Sequence, residues 1–137
     1  MATKYMYFEG PCKWAKIKDP DDYQGVKRWK IDQYLTKEGF KQLKESGLSL
    51  KIRQDDDGKY VSFSRSVEKE IKGEVVKFDP PKILDKELNT LDALVGNGST
   101  VTTKIIVFDT AKGKGHRLEA VRVNELIEFI PENQGEF

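Results

Sequence analysis

Short runs of strand-forming residues, separated by turn-forming residues, recur along the chain, and this pattern constrains the fold more than any other feature. The clearest example is residues 48–65, where two extended runs flank three aspartates and Gly58. Asp-Gly between two such runs is a strong hairpin signal. The longest apolar run, residues 100–108, follows a break at residues 96–99. Many short strands with such turns predict a small β-barrel or β-sandwich.

The other strands are predicted from the same pattern. Residues 10–11, a Gly-Pro pair, are expected to end the first strand in a turn, and the acidic residues 19–22 are expected to form a loop. A helical turn is expected within residues 83–95, and a mobile loop over residues 109–115. The predicted strands cover residues 5–8, 12–18, 26–35, 73–78 and 116–129.

One substantial helix is predicted over residues 37–46. Thr36 can cap its first turn, because threonine oxygens accept hydrogen bonds from the free amides there. Phe40 and Leu43 lie three residues apart and share a face of the helix. Gly47 suits the left-handed conformation that follows the last turn.

The charge of the chain is nearly balanced in total but unevenly distributed. Its 137 residues hold 24 Lys or Arg and 23 Asp or Glu, and charged residues make up 34% of the sequence. Residues 1–78 carry a net charge of +4, whereas residues 126–137 carry a net charge of −3. The basic first half and the acidic end therefore favour partners of opposite sign.

Scarce residue types exclude several classes of protein. Cys12 is the single cysteine and His116 the single histidine, so neither an internal disulfide nor a zinc site of ordinary ligands can form. No apolar run is long enough to span a bilayer, and the N-terminus lacks the apolar stretch of a signal peptide. We therefore expect one compact domain in the cytosol.

Neither the acidic clusters nor the glycine-rich turns indicate catalysis. The aspartates within residues 19–22 and 55–57 could hold Mg²⁺ for a nuclease reaction, but turn formation explains them better. The segments 96–100 and 113–115 lack the pattern of a phosphate-binding loop. His116 has no acidic or nucleophilic partner that the sequence identifies. We predict a protein without enzymatic activity, metal or cofactor.

Aromatic residues alternate with cations on several predicted strands. Single-stranded nucleic acid presents unstacked bases and a line of phosphates, so a general binder needs aromatic faces beside Lys or Arg. Period-two alternation along residues 12–18 puts Trp14, Lys16 and Lys18 on one face. The opposite face then holds Lys13, Ala15 and Ile17.

Two further clusters repeat this combination of aromatic and cation. On one predicted strand Arg28, Lys30, Asp32 and Tyr34 lie opposite Trp29, Ile31 and Gln33. On another, Lys59, Val61, Phe63 and Arg65 lie opposite Tyr60, Ser62 and Ser64. Large rings also dominate the cores of small β proteins, so for Trp29 and Phe63 two interpretations remain, a core residue or a nucleic-acid contact. The candidate nucleic-acid contacts are Trp14, Lys16, Lys18, Tyr23, Arg28, Lys30, Tyr34, Lys59, Phe63 and Arg65.

Four segments, in their order and spacing, resemble single-stranded DNA-binding proteins of tailed bacteriophages. They are KRWKIDQYL at 27–35, DDGKYVSFSR at 56–65, PPKILD at 80–85 and GNGS at 96–99. The resemblance covers almost the whole chain. It implies a mainly β fold, an OB-fold-like five-stranded β-barrel with extra strands or hairpins and one short helix, over residues 1–130.

The resemblance also implies a function. A protein of this family would coat and protect single-stranded DNA during phage replication, recombination and repair, with little sequence preference. Stacking of bases on Trp14, Tyr23, Tyr34 or Phe63 would act together with Lys and Arg contacts to phosphates.

Residues 131–137 are predicted to form a short acidic C-terminal tail. Proteins of this class often end in acidic residues and a terminal aromatic, which Glu132, Glu136 and Phe137 resemble in a reduced form. Such a tail would bind replication proteins such as a polymerase, a helicase-primase or a nuclease, or compete with DNA for the basic face. A frayed terminus is the alternative interpretation.

Other functions remain open at this stage. An RNA-binding β-barrel would use the same aromatics, because recognition of the 2′-hydroxyl leaves no signature in these residues. A phage structural or interaction module would bind no nucleic acid. The sequence leaves a homodimer open, and the resemblance places the protein in the cytoplasm of a bacterial host.

Overall fold

The computed structural model describes residues 4–23, 26–48, 50–91, 95–110 and 113–127, without the side chains of residues 18–23, 26 and 69–71. Nine strands and one helix follow each other along these residues. In chain order they are β1 (Lys4–Tyr23), β2 (Val26–Tyr34), α1 (Lys37–Ser46), β3 (Arg53–Asp55), β4 (Gly58–Ser66), β5 (Glu68–Ile71), β6 (Glu74–Lys77), β7 (Lys82–Leu84), β8 (Thr100–Thr110) and β9 (Gly113–Glu125).

Seven of the strands form one curled sheet in the order β3-β4-β2-β1-β8-β9-β7, and β5 pairs with β6 in a separate hairpin. The curl brings β4 against β9, since the Ser64 amide donates to His116 Nε2 at 3.2 Å and Arg65 Nη1 donates to the Leu118 carbonyl at 3.4 Å. Strands β1, β2, β4, β8 and β9 thus enclose a barrel. This architecture confirms the predicted mainly β, OB-fold-like barrel with extra strands and one short helix.

Strand β1 replaces the two strands and the turn that were predicted for residues 5–18. Its first half pairs with β8, from Lys4 opposite Val107 to Pro11 opposite Thr100, and its second half pairs with β2. Gly10 permits this change of partner, because a Cβ there would lie 2.3 Å from the Tyr34 carbonyl oxygen. The Gly-Pro pair therefore marks a close approach of two backbones instead of a turn.

The acidic residues 19–22 also belong to β1 instead of a loop. A register shift after Lys16 interrupts the antiparallel ladder with β2, which resumes with Asp21 opposite Arg28 and Tyr23 opposite Val26. Only the tip of this long β1–β2 hairpin, residues 24–25, falls outside the described residues. For Asp21 and Asp22, pairing with Arg28 and Lys27 of β2 outweighs the preference of aspartate for turns.

Helix α1 confirms the predicted helix and both of its ends. Thr36 Oγ1 accepts from the Gly39 amide at 3.1 Å, and Gly47 adopts φ 84° after the last turn. Leu43 is buried, and Gly39 packs near the Phe8 ring, which anchors the helix to the barrel.

The core fills the barrel with side chains from alternate positions of its strands. The Phe8 and Phe63 rings stack at its centre, with centroids 5.3 Å apart. Other members of the core are Cys12, Ile17, Ile31, Leu43, Val61, Val95, Val101, Ile105, Val107, Leu118, Val121 and Val123. Burial raises the pKa of the Cys12 thiol to about 12, so this cysteine stays protonated and unreactive.

Several local predictions are corrected in the second half of the chain. The described residues of 83–95 hold β7, parallel to β9, and a bridge between Leu84 and Thr90, but no helical turn; residues 92–94 lie outside the described part. Of the predicted loop over 109–115, residues 109–110 and 113–115 are strand, with Asp109 opposite Lys114, and residues 111–112 lie outside the described part.

Strand lengths also differ from prediction. The first arm of the Asp-Gly hairpin was predicted over residues 48–54, but only β3 forms a strand there. The strand predicted at 73–78 is present as β6, and it pairs with β5, a strand that the sequence did not predict. A register shift in β9, beside Leu118, turns Val121 and Val123 inward and leaves Ala120 only partly buried. No described helix is long and apolar enough to cross a membrane.

Candidate nucleic-acid interface

The outer face of β1, β2 and β4 brings together five of the ten predicted contact residues. In a sheet, residues directly opposite each other on neighbouring strands point to the same side. Ladder pairing therefore sets out three rows across this face. The rows are Lys16–Lys30–Ser64, Lys13–Asp32–Ser62 and Tyr34–Tyr60, and Arg28 opposite Ser66 extends them toward the β1–β2 tip. We call this surface the β1–β2–β4 face.

Trp14 stands at one edge of this face on a β-bulge. The ladder runs from Lys13 opposite Asp32 to Lys16 opposite Lys30, so β1 has one extra residue between these pairs. Trp14 takes φ 49°, and its amide donates to Asn97 Oδ1 at 2.9 Å. Its side chain is 55% exposed. The left-handed conformation costs a non-glycine residue about 1 kcal/mol, so neither backbone preference nor packing explains a tryptophan here.

The bulge corrects the predicted faces of residues 12–18. Before it the even-numbered Phe8 and Cys12 face the core, and after it the odd-numbered Ala15 and Ile17 do. Trp14 and Lys16 lie outside, as predicted. Lys13 was expected on the inner side with Ala15, but it also lies outside.

Lys16, Lys30 and Arg28 form the cationic part of the face. Lys16 and Lys30 are directly opposite each other, an arrangement that is destabilising for like charges. Within the described part of the chain, none of the three forms an ion pair. Cations of this kind form strong hydrogen bonds with an anion such as a phosphate.

The side chains that β4 contributes to this face are mostly small hydroxyls, so this part of the face is polar and does not protrude. Ser62, Ser64 and Ser66 alternate with the buried Val61 and Phe63. Ser62 donates a hydrogen bond to the Asp32 carboxylate of β2. The serines of β4 border the cations of β2, so a chain of phosphates could lie across them and accept hydrogen bonds.

Lys13, Tyr34 and Asp55 form a connected cluster at the far end of the face. Asp55 pairs with Lys13 and accepts from the Tyr34 hydroxyl at 2.6 Å. The hydrogen bonds from Lys13 and Tyr34 lower the pKa of Asp55 to about 2. Desolvation opposes a charged Lys13, but its bond to Asp55 prevails and raises its pKa. Partial burial and the bond to Asp55 raise the pKa of Tyr34.

Two tyrosines give this end of the face an aromatic surface. The Tyr34 and Tyr60 rings meet edge to face with centroids 5.6 Å apart, and Lys13 Nζ lies 3.7 Å from the Tyr60 centroid. Between Trp14, Tyr34 and Asn97 lies a cleft of about 530 Å³, within the roughly 300–1,000 Å³ that is typical of small-ligand sites. A nucleobase could enter this cleft beside Trp14.

The third predicted cluster does not join the face. Phe63 is fully buried against Phe8, which corrects its assignment as a stacking residue. Arg65 points to the other side of β4, where it pairs with Glu119 at 2.9 Å. Lys59 lines an apolar groove beside α1. These three residues share a side, as predicted, but it is the inner side of β4.

The remaining predicted contacts lie outside what the structure describes. The backbones of Lys18 and Tyr23 belong to β1, but their side chains are not among the described ones. The tail residues Glu132, Glu136 and Phe137 are also outside the described part. Their proposed roles stay predictions.

The sequence interpretation missed several residues of the face. Lys13, Asp55 and Asn97 come from β1 beside the bulge, the end of β3 and a distant turn, and no local pattern places all three on the side of the sheet that Trp14 occupies. Tyr60, Ser62 and Ser64 could have been identified, because their polar character opposite Val61 and Phe63 marks the outer side of β4.

Within the described residues, no group of three His, Cys, Asp or Glu side chains is placed to hold a metal ion. The arrangement offers instead an exposed aromatic, a row of cations that form no ion pair with any described side chain, and small hydrogen-bonding groups on one sheet surface. Such a surface can stack bases and neutralise phosphates, and it can do so without reading a base sequence.

Solved structures of bacteriophage proteins share this fold. The chain is similar to gp2.5, a single-stranded DNA-binding protein encoded by bacteriophage T7, with a TM-score of 0.67, 17% identity and coverage of 95% of this chain and 91% of gp2.5. It is also similar to the single-stranded DNA-binding protein of bacteriophage Enc34 in complex with single-stranded DNA, with a TM-score of 0.58, 14% identity and coverage of 93% and 89%.

These similarities confirm the fold that the sequence resemblance implied. No protein-family model and no curated protein sequence matches the chain. The shared architecture is thus that of phage single-stranded DNA-binding proteins, at identities that establish the fold alone.

Proposed function

We propose that this protein binds single-stranded DNA without catalysis and with little sequence preference, through the β1–β2–β4 face. The observation that carries the proposal is Trp14, an exposed ring at a backbone position unfavourable to it, beside the opposed Lys16 and Lys30. Proteins of the same fold bind single-stranded DNA. Both lines of support favour this function over a structural module.

Binding would combine two contributions on neighbouring strands. Lys16, Lys30 and Arg28 would displace counterions from consecutive phosphates, which also removes the repulsion between the two lysines. Trp14 would stack on a base, and the cleft beside it would hold that base or its neighbour. Held in this way, the bases cannot pair, so hairpins in the strand would be melted and nucleases would be excluded.

The biological role follows from this chemistry. A stoichiometric binder of this kind would coat and protect single strands during replication, recombination and repair of phage DNA in the cytoplasm of the host. Glu132, Glu136 and Phe137 would bind replication proteins or compete with DNA for the cationic face. Removal of residues 131–137 would then tighten DNA binding at low salt, and unchanged affinity would contradict the competition.

Equilibrium binding by fluorescence anisotropy tests the proposal. Labelled oligo-dT, a duplex of equal length and an oligo-rU of equal length are titrated with the full chain at several salt concentrations. We expect oligo-dT to bind most tightly, with an affinity that falls steeply as salt rises.

Each alternative function gives a different result. Tighter binding of oligo-rU would indicate an RNA-binding barrel. Equal binding of the duplex would contradict selectivity for single strands, and absence of salt-dependent binding to all three probes would indicate a structural module.

A further inference from the structure

We infer that a second stacking site for the same DNA strand lies on the outer face of β1 and β8, formed by Tyr5, Tyr7 and Lys104. This inference rests on the proposed function and extends the path of the bound strand beyond Trp14. The two tyrosines belong to the first half of β1, before the change of partner at Gly10, and none of the three residues belongs to the β1–β2–β4 face.

The two rings are exposed and share one side of the sheet. Tyr5 is 52% and Tyr7 is 56% exposed, although large aromatic side chains usually contribute to a core. Lys104 lies opposite Tyr7 in the ladder, and its Nζ lies 4.4 Å from the Tyr5 centroid and 6.0 Å from the Tyr7 centroid. An ammonium group next to two open rings is the combination that binds a phosphate together with its bases.

Further cations border this site. Ala120 lies opposite Lys104 on β9 and beside Lys82 on β7, and Lys82 faces outward because its neighbour Ile83 packs against the core. Arg122 is exposed on the same side of β9, where it donates to Thr102 Oγ1 at 3.3 Å and to Asn124 Oδ1 at 3.0 Å.

Two acids on this surface oppose an anionic ligand. Glu9 follows Tyr7 on the outer side of β1 and accepts a hydrogen bond from Asn124 Nδ2 at 3.4 Å, and Glu125 lies opposite Thr100 at the end of β9. Against them stand Lys104, Lys82 and Arg122, so the surface that these side chains form carries net positive charge. A polyanion therefore matches it.

Continuity along β1 connects the two sites. Tyr7 and Trp14 are seven residues apart on one strand, which is about 23 Å at 3.3 Å per residue in an extended chain. Single OB folds cover about 4–16 nucleotides, so one strand of DNA can reach both platforms. Glu9, Pro11 and Lys13 lie between them on the outer side.

The same surface is poorly suited to a second copy of the chain. In a two-fold dimer the same patch meets itself, so a patch of net positive charge would meet another of the same charge. Single-stranded DNA would neutralise these cations instead. This difference favours nucleic acid as the ligand.

The test compares oligo-dT of about 6 nucleotides with oligo-dT of about 16 nucleotides, the two ends of the range for one OB fold. The full chain and the variants Tyr5→Leu, Tyr7→Leu and Lys104→Gln are measured by fluorescence anisotropy. Trp14→Ala reports on the first site, and Lys44→Gln on α1 is the matched control for loss of a lysine.

We expect each tyrosine variant to lower affinity for the long oligonucleotide by roughly 5- to 100-fold and to leave the short one unchanged. Lys104→Gln should also lower the affinity for the long oligonucleotide, and Lys44→Gln should change neither. Trp14→Ala should weaken both.

Three outcomes would overturn the inference. In the first, the tyrosine variants bind the long oligonucleotide as tightly as the parent chain does. In the second, they lose the same affinity for both lengths. In the third, they change from dimer to monomer in sedimentation equilibrium while their DNA affinity is unchanged. If Trp14→Ala weakens binding in the first case, the inference of a second stacking site is wrong but the proposed function is still supported. If the unmodified chain binds neither oligonucleotide, the proposed function fails with it.

Discussion

Strands β2 and β4 lie side by side and carry the same combination of aromatic and cation, yet the structure uses it in opposite ways. On β2 the alternate set Arg28, Lys30 and Tyr34 faces outward. On β4 the set containing Phe63 and Arg65 faces inward, and the outer side is left to tyrosine and serine. Alternation thus tells which residues share a side, whereas the relative apolarity of the two sides decides which of them is buried.

The opposite side of each strand explains the difference. Behind the cations of β2 lie Trp29 and Ile31, which are the most apolar residues of that strand. Behind Phe63 lie only Ser62 and Ser64, so burying Phe63 and Val61 gains more than burying two hydroxyls. Arg65 then emerges at the end of the barrel and pairs with Glu119.

The largest expected effect concerns the buried side of β4. Phe63→Ala should lower the free energy of unfolding by about 3–5 kcal/mol, because it leaves a cavity against Phe8. Chemical denaturation measures this loss. Trp14→Ala is the contrast, since its exposed ring should leave stability nearly unchanged. Similar losses for the two variants would break the distinction between core and face.

The next effect is a pH dependence on the same inner side. Burial lowers the pKa of His116 to about 4, and its Nε2 accepts from the Ser64 amide, as only the neutral ring can. The unfolded chain, with a pKa near 6.5, then binds the proton first as pH falls. The contribution of His116 to the free energy of unfolding should be fully present above pH 6.5. It should decrease by about 2–3 kcal/mol as pH falls toward 4.

Denaturation across this pH range in the parent chain and in His116→Gln measures the effect. The amide oxygen of glutamine can still accept from Ser64 but does not titrate, so the variant should show a flatter profile. Parallel profiles of the two proteins would show that His116 does not carry the dependence.

A smaller effect concerns the salt dependence of DNA affinity, compared between a lysine on the outer side of β2 and a lysine on the other side of β4. Lys30→Gln should reduce the dependence of log affinity for oligo-dT on log salt by about 0.7, the value for one phosphate contact with a single strand. Lys59→Gln, an exposed lysine beside α1, should leave that slope unchanged. Salt titrations of both variants measure the slopes, and equal changes would remove the predicted distinction.

The smallest expected effect is a gain in DNA affinity when the ion pair between Lys13 and Asp55 on the β1–β2–β4 face is removed. Asp55→Asn would release Lys13 and remove one negative charge from the face, so DNA should bind more tightly and the salt slope should steepen by about 0.7. Anisotropy titrations at several salt concentrations would detect this gain. Weaker binding would mean that the Lys13–Asp55–Tyr34 cluster is itself needed for contact.

Local signals in the sequence predict much of the fold. The cap at Thr36, the end of α1 at Gly47 and the Asp-Gly turn before β4 depend on neighbouring residues, so they can be read from short segments. The faces of β2 were also correct, because its alternation runs without interruption from Arg28 to Tyr34.

Long-range features could not be predicted in this way. The passage of Gly10 beside the Tyr34 carbonyl, and the hydrogen bond from Trp14 to Asn97, each join residues far apart in the chain. One extra residue at the bulge then reverses the side on which Lys13 lies, since strand alternation has a period of two. For this reason the candidate site was predicted in part, with Phe63 wrongly included and Lys13 missed.

Stacking of a base on Trp14 is the central claim, and fluorescence tests it directly. Trp29 is 6% exposed, and its Nε1 has no hydrogen-bond partner among the described residues, so Trp29→Phe removes the second tryptophan at little cost. In this variant we expect oligo-dT to quench the emission of Trp14 saturably, with an affinity that weakens as salt rises, and duplex DNA to leave it unchanged. Salt-dependent binding by anisotropy without any quenching would contradict the claim.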